Sequence, residues 1–214
     1  MWERSATNDF ECVALLSEHT QDVKFVTWHP SQRVLFSCSY DDSIKVWSCD
    51  DVDSSDEWRC LDTLTGHTST VWGLCVDGES GHRLVSCSDD LSIILWENSN
   101  PADVRNGTWA QIATLKNVHN FPIYSVHWLG TGESGFRDLV ASASADNSIV
   151  LSTLERDSSG VPSLQLAFRL EGAHKNDVNC VRWRPSSRPH SSCDPLLASC
   201  GDDGTIRIFR LVVS

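Results

Sequence analysis

Several features that would place a chain in a common functional class are missing from this sequence. No apolar run approaches 18 residues, so no membrane-spanning helix is predicted, and Met1-Trp2-Glu3-Arg4 lacks the apolar stretch of a signal peptide. There is no glycine-rich phosphate-binding loop and no Cys-x-x-Cys pair, and the cysteine spacings fit no zinc site. We therefore expect neither a cofactor nor a metal ion.

Basic residues are also scarce. The 214 residues include 17 Lys and Arg against 29 Asp and Glu, which gives a formal net charge of −12. Acidic clusters such as Asp50-Asp51 and Asp56-Glu57 add local negative charge. Because binding to phosphate groups needs a local excess of Lys and Arg, neither nucleic acid nor a membrane surface is expected as a partner.

The nine cysteines are expected to be small buried hydrophobes. Cys38, Cys87 and Cys200 each lie three residues before an Asp that recurs along the chain. They therefore fall in separate repeats, too far apart to share one metal ion. Without a signal peptide, free thiols indicate a reducing compartment, and the cytoplasm, together with the nucleus, is the expected location.

What the sequence does contain is a phrase of 11 residues that occurs four times. Residues 37–47 and 86–96 are close copies, and residues 142–152 and 199–209 are looser ones. In each copy a Ser stands four residues before an Asp, and these aspartates, at positions 41, 90, 146 and 203, are separated by 49, 56 and 57 residues. A phrase that returns at such a spacing indicates a repeat architecture.

A histidine precedes every copy of the phrase: His19, His67, His119 and His174. Gly66-His67 is a full Gly-His pair, and Trp47 and Trp96 close the first two copies. A Gly-His pair, a closing Trp and four short strands between them resemble the WD40 repeat of a β-propeller. The implied fold class is all-β, and no stretch of the chain has the periodicity of a helix.

β-Branched residues and turn residues divide each repeat into four predicted strands, labelled a to d as in WD40 blades. In strand a the apolar residues stand first and fourth, so we expect a bulge near its start. The predicted ranges are 23–28, 71–76, 123–128 and 178–183 for strand a, 34–39, 84–88, 139–144 and 196–200 for strand b, 44–47, 93–96, 149–151 and 206–209 for strand c, and 10–16, 58–64, 109–115 and 164–170 for strand d. Loops are expected at 48–57, 97–107, 130–138, 153–163 and 186–195.

The resemblance implies one domain over residues 1–214, with repeats at approximately 10–47, 58–96, 109–152 and 164–209. WD40 propellers usually close with about seven blades, which takes roughly 300 residues. We therefore expect an incomplete, open arc that lacks N-terminal blades. In this family strand d of one repeat joins the preceding blade, so the strand at 10–16 is expected to pair upstream, where Trp2-Glu3 matches Trp96-Glu97 at the end of a blade.

Ser, His and Asp recur together in every repeat, which is the composition of a hydrolase triad. Four near-copies in one chain, without a nucleophile elbow, argue against catalysis, so no enzyme activity is expected. In the WD40 family these residues form a buried hydrogen-bond network with the closing Trp. The resemblance implies that role for His19, Ser37, Asp41 and Trp47, for His67, Ser86, Asp90 and Trp96, for His119, Ser142 and Asp146, and for His174, Ser199 and Asp203.

The last two repeats lack the closing Trp, because Ser152 and Phe209 stand in its place. Their networks have one donor fewer, so these repeats are expected to be less tightly tied. On this reasoning Asp90→Ala destabilises the protein more than Asp146→Ala.

The four repeats together resemble one WD40 family, the propeller subunit of the cytosolic iron–sulfur protein assembly targeting complex. The similarity is carried by residues 19–24, 26–32, 39–42, 66–72, 123–124 and 177–183, and it corresponds to the C-terminal blades of that propeller. The resemblance implies a scaffold that binds the other subunits of the complex and apoprotein clients, and that helps to deliver a cluster without ligating it. The alternatives are a WD40 adaptor of another complex, such as a ubiquitin-ligase substrate receptor or a chromatin reader, and a truncated isoform with little activity.

In propellers the second residue of strand a and the residue before the turn Asp line the central funnel on one face. These positions hold Lys24, Trp72, Tyr124 and Asn179, and Tyr40, Asp89, Ala145 and Asp202. Because aromatic side chains are common anchors at protein interfaces, the candidate partner-binding residues are Lys24, Tyr40, Trp72, Asp89, Tyr124 and Asn179. The alternative is that Trp72 or Tyr124 packs on a neighbouring blade.

Overall fold

The structure is a computed structural model that describes residues 2–4, 10–49, 57–129, 138–185 and 195–212. The acidic residues within 50–56 and most of the predicted loops at 130–138 and 186–195 lie outside this part of the chain.

The described residues form short β-strands and a single-turn 3₁₀ helix at Val104–Asn106. In chain order the strands are β1 (Trp2–Arg4), β2 (Phe10–Cys12), β3 (Val23–Trp28), β4 (Val34–Ser39), β5 (Ser43–Cys49), β6 (Trp58–Thr65), β7 (Val71–Val76), β8 (Arg83–Ser88), β9 (Ser92–Asn98), β10 (Trp109–Lys116), β11 (Ile123–Leu129), β12 (Leu139–Ser144), β13 (Ile149–Arg156), β14 (Pro162–Leu170), β15 (Val178–Trp183), β16 (Leu196–Gly201) and β17 (Ile206–Arg210). The predicted all-β class is confirmed. Among these residues no helix is long and apolar enough to cross a membrane.

Consecutive strands pair into antiparallel sheets, which we call blades. Blade one is β3-β4-β5-β6, blade two β7-β8-β9-β10, blade three β11-β12-β13-β14, and blade four contains the three described strands β15-β16-β17. The innermost strands of successive blades pack on one another, β3 on β7, β7 on β11 and β11 on β15. This is the arrangement of a WD40 propeller.

The hydrophobic core lies between the blades. Between blades one and two, for example, the rings of Phe36 and Trp109 meet edge to face, with centroids 5.3 Å apart. Blades two and three have a neighbour on each face, so every residue of β12 is buried. Blades one and four have a described neighbour on one face, and Trp28 and Ile206 are 51% and 77% exposed. These exposed faces agree with the expected open arc.

The predicted bulge in strand a is confirmed in all four blades. The register with strand b shifts between Val23 and Phe25, and at the equivalent places in β7, β11 and β15. A bulge adds one residue to a strand and changes which side chains face the core. It therefore explains why apolar residues stand first and fourth rather than in strict alternation.

Two predicted strands differ from the structure by more than two residues at one end. The segment predicted as a loop at 153–163 is the end of a long hairpin, because β13 continues to Arg156 and β14 begins at Pro162. At the other end of the chain, β2 is shorter than the predicted strand at 10–16 and pairs with β1. Trp2 lies opposite Cys12 as Trp47 lies opposite Cys60, so β1 and β2 repeat the pairing of strands c and d.

Candidate functional site

The turn between strands b and c positions the recurring aspartate. Asp41 Oδ1 accepts the backbone N–H of Ser43 at 3.1 Å, which holds the turn in shape. The residue that follows each Asp adopts the left-handed conformation, with φ near 65° at Asp42, Leu91 and Asn147 and 74° at Gly204. Non-glycine residues rarely adopt this conformation, so the hydrogen bonds of the Asp must hold it.

In blade one the four predicted residues of the network lie together. His19 Nδ1 is 2.9 Å from Asp41 Oδ2, and His19 Nε2 is 2.7 Å from Ser37 Oγ. Trp47 Nε1–H donates to Ser37 Oγ at 2.8 Å. Blade two repeats this geometry, with 2.9 Å from His67 to Asp90, 2.7 Å from His67 to Ser86 and 2.9 Å from Trp96 to Ser86.

Blades three and four contain the same core of the network without the Trp. His119 is 3.1 Å from Asp146 Oδ2 and 2.9 Å from Ser142 Oγ. His174 is 2.9 Å from Asp203 Oδ1 and 2.7 Å from Ser199 Oγ.

Two further elements of each network were missed from the sequence. A hydroxyl two residues after the Asp lies within hydrogen-bond distance of both the Asp and the His, as in Ser92 Oγ, 2.5 Å from Asp90 and 3.2 Å from His67. The backbone N–H that follows the His also donates to the carboxylate, as from Thr68 to Asp90 at 3.0 Å. The hydroxyl residues Ser43, Ser92, Ser148 and Thr205 recur in step with the repeat, so their spacing was a signal that could have been used.

An arginine joins the network in each blade that lacks the closing Trp. Arg169 Nη2–H donates to Asp146 Oδ2 at 3.1 Å, and Arg207 Nη2–H donates to Asp203 Oδ2 at 3.3 Å. The expectation that these blades are simply less tightly tied is therefore incomplete, because a charged donor binds the Asp where a Trp would have bound the Ser.

These contacts hold the four carboxyl groups in their ionised form. Burial alone would raise the pKa of Asp90, but hydrogen bonds from His67, Ser92 and Thr68 lower it well below its usual range. The same balance lowers the pKa of Asp41 and Asp146. At Asp203, hydrogen bonds from Thr205 and His174 lower the pKa. Each Ser of the network is buried, so none presents a nucleophile at the surface.

The glycine of the Gly-His pair has a local steric reason. A Cβ atom at Gly66 would lie 2.9 Å from the ring of Trp96 and 2.6 Å from Gln111 Oε1. A side chain at this position would therefore push against the closing Trp of blade two.

The expectation that all nine cysteines are buried is wrong. Among the described residues Cys38, Cys49 and Cys87 are buried, Cys60, Cys75 and Cys180 are partly buried, and Cys12 and Cys200 are exposed. Burial raises the pKa of the Cys38 and Cys87 thiols, and a protonated thiol is a poor metal ligand and nucleophile. Within the described ranges no group of three His, Cys, Asp or Glu side chains is arranged to hold a metal ion. Cys193 lies outside the described residues.

The candidate partner-binding residues lie at one end of the blades. In each blade the residue before strand a accepts a backbone hydrogen bond from the residue after strand b, as Asp22 does from Tyr40 at 2.9 Å. These two positions, with the second residue of strand a, define a surface that we call the rim. Its members are Asp22, Lys24 and Tyr40 in blade one, Thr70, Trp72 and Asp89 in blade two, Pro122, Tyr124 and Ala145 in blade three, and Asp177, Asn179 and Asp202 in blade four.

Side chains of the rim form a continuous chain of contacts across the four blades. Lys24 Nζ lies 5.2 Å from the centroid of the Tyr40 ring and 5.3 Å from that of Trp72. The Trp72 and Tyr124 rings meet edge to face at 5.5 Å. The Tyr124 hydroxyl donates to Asp177 Oδ2 at 3.4 Å.

Two carboxylates fix the remaining candidate side chains. Trp72 Nε1–H donates to Asp89 Oδ1, and Asn179 Nδ2–H donates to Asp202 Oδ1, each at 2.5 Å. Trp72 and Tyr124 thus pack across the boundary between blades two and three while staying partly exposed. The structure brings the six candidate residues onto one surface, and it adds Asp22 and Asp177, which the sequence did not suggest.

Comparison with known proteins gives a consistent family. The model of the WD domain, G-beta repeat, matches residues 10–48, 58–97 and 165–210, and the third repeat is not among the matched residues. A probable cytosolic iron-sulfur protein assembly protein CIAO1 homolog of Chlamydomonas reinhardtii is 41% identical over 177 residues, which cover 71% of this chain and 46% of that protein.

Two fungal proteins are similar over nearly the whole chain. A probable cytosolic iron-sulfur protein assembly protein 1 of Chaetomium globosum is 30% identical, covering 97% of this chain and 55% of that protein. Its counterpart in Candida albicans is 35% identical, covering 97% of this chain and 68% of that protein. The chain spans about half the length of the first curated relatives that it matches.

Proposed function

Because this chain belongs to the WD40-repeat family and, within it, to the cytosolic iron–sulfur protein assembly proteins, we propose that it is a non-catalytic scaffold of cytosolic iron–sulfur cluster assembly. Its task is to bind the other subunits of the targeting complex and apoprotein clients, so that a preformed cluster reaches cytosolic and nuclear apoproteins. It acts in the cytoplasm, in keeping with the names of its relatives.

The observation that carries the proposal is the rim. The partly exposed Trp72 and Tyr124 are fixed by their ring contact and by hydrogen bonds to carboxylates. The more exposed Tyr40 contacts the Lys24 ammonium group through its ring. Aromatic side chains that are held in place before binding lose little conformational freedom in a complex, and they are frequent binding hot spots. A surface of this kind suits recognition of a partner protein.

A scaffold role also accounts for the four His–Ser–Asp networks. Each joins the segment before strand a to strand b and to the turn before strand c. Their repetition in every blade fits a structural role better than a reaction centre. The cluster is cargo in this proposal, since no group of three His, Cys, Asp or Glu side chains among the described residues is arranged to hold a metal ion.

Affinity purification of the tagged chain tests the class of complex. Iron–sulfur assembly proteins are expected in the eluate, whereas cullin adaptors or histones in their place would support the alternative WD40 adaptor and contradict the proposal.

Substitution of the rim aromatics tests the docking surface. Trp72→Ala and Tyr124→Ala should weaken binding to the partner subunits by about thirtyfold each, because truncation of a central anchor typically costs 2 kcal/mol or more. Both variants should keep the β-sheet signal in circular dichroism. The matched control is Trp183→Ala, since Trp183 is 3% exposed and lies in the core between blades three and four. It should lower stability instead, and unchanged binding by the folded rim variants would place the partners on another surface.

A further inference from the structure

The rim carries an unbalanced charge. Its charged members are four aspartates and one lysine, Asp22, Asp89, Asp177, Asp202 and Lys24. Lys24 pairs with Asp22 at 3.2 Å. Across the part of the chain that the structure describes, no Lys, Arg or His forms an ion pair with the other three aspartates, which accept hydrogen bonds from Trp72, Tyr124 and Asn179.

Blade one shows how a cation sits on this surface. The Lys24 ammonium group lies over the rings of Tyr40 and Trp72 and within 3.2 Å of the Asp22 carboxylate. Its side chain is 21% exposed, so the contacts cover much of it. Aromatic faces and carboxylates together stabilise a cation through the ring quadrupole and through direct charge attraction.

Blade four repeats the anionic part of this arrangement without the cation. Asp177 occupies the position of Asp22, but Asn179 occupies the position of Lys24. Asp202 stands where blade one has Tyr40, so the carboxylate count is higher, and the Tyr124 ring of blade three lies beside Asp177. The local field is negative: burial raises the pKa of Tyr124, and the charges of Asp177, Asp89 and Asp202 raise it further.

We propose that the part of the rim formed by Tyr124, Asp177, Asn179 and Asp202 binds a basic segment of a partner protein, with a Lys or Arg side chain seated beside the Tyr124 ring and against the two carboxylates. This inference rests on the proposed docking of partners at the rim and names the chemistry of the segment that docks. The partner supplies at blade four the positive charge that Lys24 supplies at blade one. Complementary charge at this point also fixes the direction in which the segment crosses the rim.

The test uses the full chain and a short fluorescein-labelled peptide of Gly, Ser and Arg with blocked ends, measured by fluorescence anisotropy. Two matched peptides carry Gln or Glu in place of every Arg. The Arg peptide should bind best, and its affinity should fall between about 50 mM and about 200 mM NaCl because exposed charges are screened. Equal binding of the Gln peptide would overturn the proposal.

Two rim variants test the same site, one by removing its negative charge and the other by adding a positive charge. Asp177→Asn with Asp202→Asn removes both charges and should weaken binding of the Arg peptide by about tenfold or more. Asn179→Lys places a cation where blade one has one, and it should weaken binding similarly while changing only one exposed side chain. The second variant keeps the proposal testable if the first fails to fold.

The matched control removes two negative charges elsewhere. Glu79 and Glu155 are exposed and lie at the opposite ends of the strands from the rim, so Glu79→Gln with Glu155→Gln should leave peptide binding unchanged. A similar loss in this control would show that net charge, rather than the rim site, binds the peptide, and would overturn the proposal.

Parallel pull-down of the partner subunits separates this inference from the proposed function. If Trp72→Ala abolishes subunit binding but the blade four variants do not change it, partners dock on the rim and the basic segment is wrong. If the Arg peptide binds blade four but subunits bind every rim variant normally, the site stands and the proposed docking surface is wrong.

Discussion

Blades two and three stabilise equivalent His–Asp pairs by different means. In blade two the indole of Trp96 donates to Ser86, the neutral end of the network. In blade three Ser152 occupies the tryptophan position, and the guanidinium of Arg169 donates to Asp146, the anionic end. An additional donor can thus stabilise the network at either its Ser or its Asp. The absence of a tryptophan does not by itself identify a less stable blade.

The physical consequences of the two solutions differ. A hydrogen bond between the neutral Trp96 and Ser86 is buried and insensitive to salt. The contact of Arg169 with Asp146 carries full charges, with the arginine side chain 19% exposed and the aspartate side chain 5% exposed. Arg169 Nε also lies 2.7 Å from Glu171, whose side chain is 72% exposed, so without Asp146 the arginine would keep only a solvent-exposed partner. Losing the buried partner of a charge is more costly than losing a neutral donor.

The largest expected difference follows from deleting the aspartate in each blade. Asp146→Ala should lower the free energy of unfolding by about 2–4 kcal/mol, because the buried His119 loses its carboxylate and Arg169 keeps only the exposed Glu171 as a charged partner. Asp90→Ala should cost about 1–3 kcal/mol, because no cation loses a partner there. This order reverses the one expected from the missing tryptophan alone. Urea unfolding followed by circular dichroism measures both values.

Arg169→Met provides the control for that comparison. In the Asp146→Ala background it removes a charge whose remaining charged partner is the exposed Glu171, and it should recover part of the lost stability, whereas in the parent it should be destabilising. A larger loss from Asp90→Ala than from Asp146→Ala would show that the Trp96 link, rather than Arg169, decides the stability of the network.

The dependence on pH should be the same in the two blades. The pKa values of Asp90 and Asp146 are both lowered in the folded protein, so the ionised form favours folding. Their contribution is fully present above about pH 4, the pKa of an unfolded Asp, and is lost as the pH falls toward the folded pKa.

Neutral amides at these positions test that dependence. Asp90→Asn and Asp146→Asn should each flatten the fall of stability below about pH 4 by up to about 1.4 kcal/mol per pH unit. Urea midpoints between about pH 3 and pH 5 would record it. A slope that changes in one variant and not in the other would mean that one carboxyl group keeps its unfolded pKa in the folded protein.

The comparison of the blades also shows which features can be predicted from the sequence. The phrase with its fixed Ser-to-Asp spacing located the strands, because each blade must place the same residues at the same points of the same turn. The spacing could not predict the role of Arg169. This residue lies on the outer strand opposite Val150, and blade two has no arginine at the equivalent position. Arg207, which donates to Asp203 in blade four, stands on strand c rather than strand d, so the two arginines share no position of the repeat.

Part of the rim could be predicted from the same repeat spacing. Lys24, Trp72, Tyr124 and Asn179 share one position of the repeat, so their common placement followed from the spacing. Asp22 and Asp177 share the position before strand a, but Thr70 and Pro122 hold it in the middle blades and hide the pattern. Whether neighbouring blades bring such residues into contact depends on the packing of β3, β7, β11 and β15, which the sequence does not specify.

The smallest expected effect has the opposite sign in the two blades. Ser86 in blade two contacts His67 and accepts from Trp96, so Ser86→Ala should cost about 1–3 kcal/mol by leaving two buried nitrogen atoms without a partner. Ser152 in blade three is fully buried, and its hydroxyl has no hydrogen-bond partner among the described residues. Ser152→Ala removes an unsatisfied polar group at little change in volume, and it should leave stability unchanged or raise it by up to about 1 kcal/mol.

Paired urea unfolding curves of the two alanine variants measure the difference directly. A loss at Ser152 as large as that at Ser86 would mean that the hydroxyl has a buried partner, such as an ordered water, and that blade three completes its network at both ends.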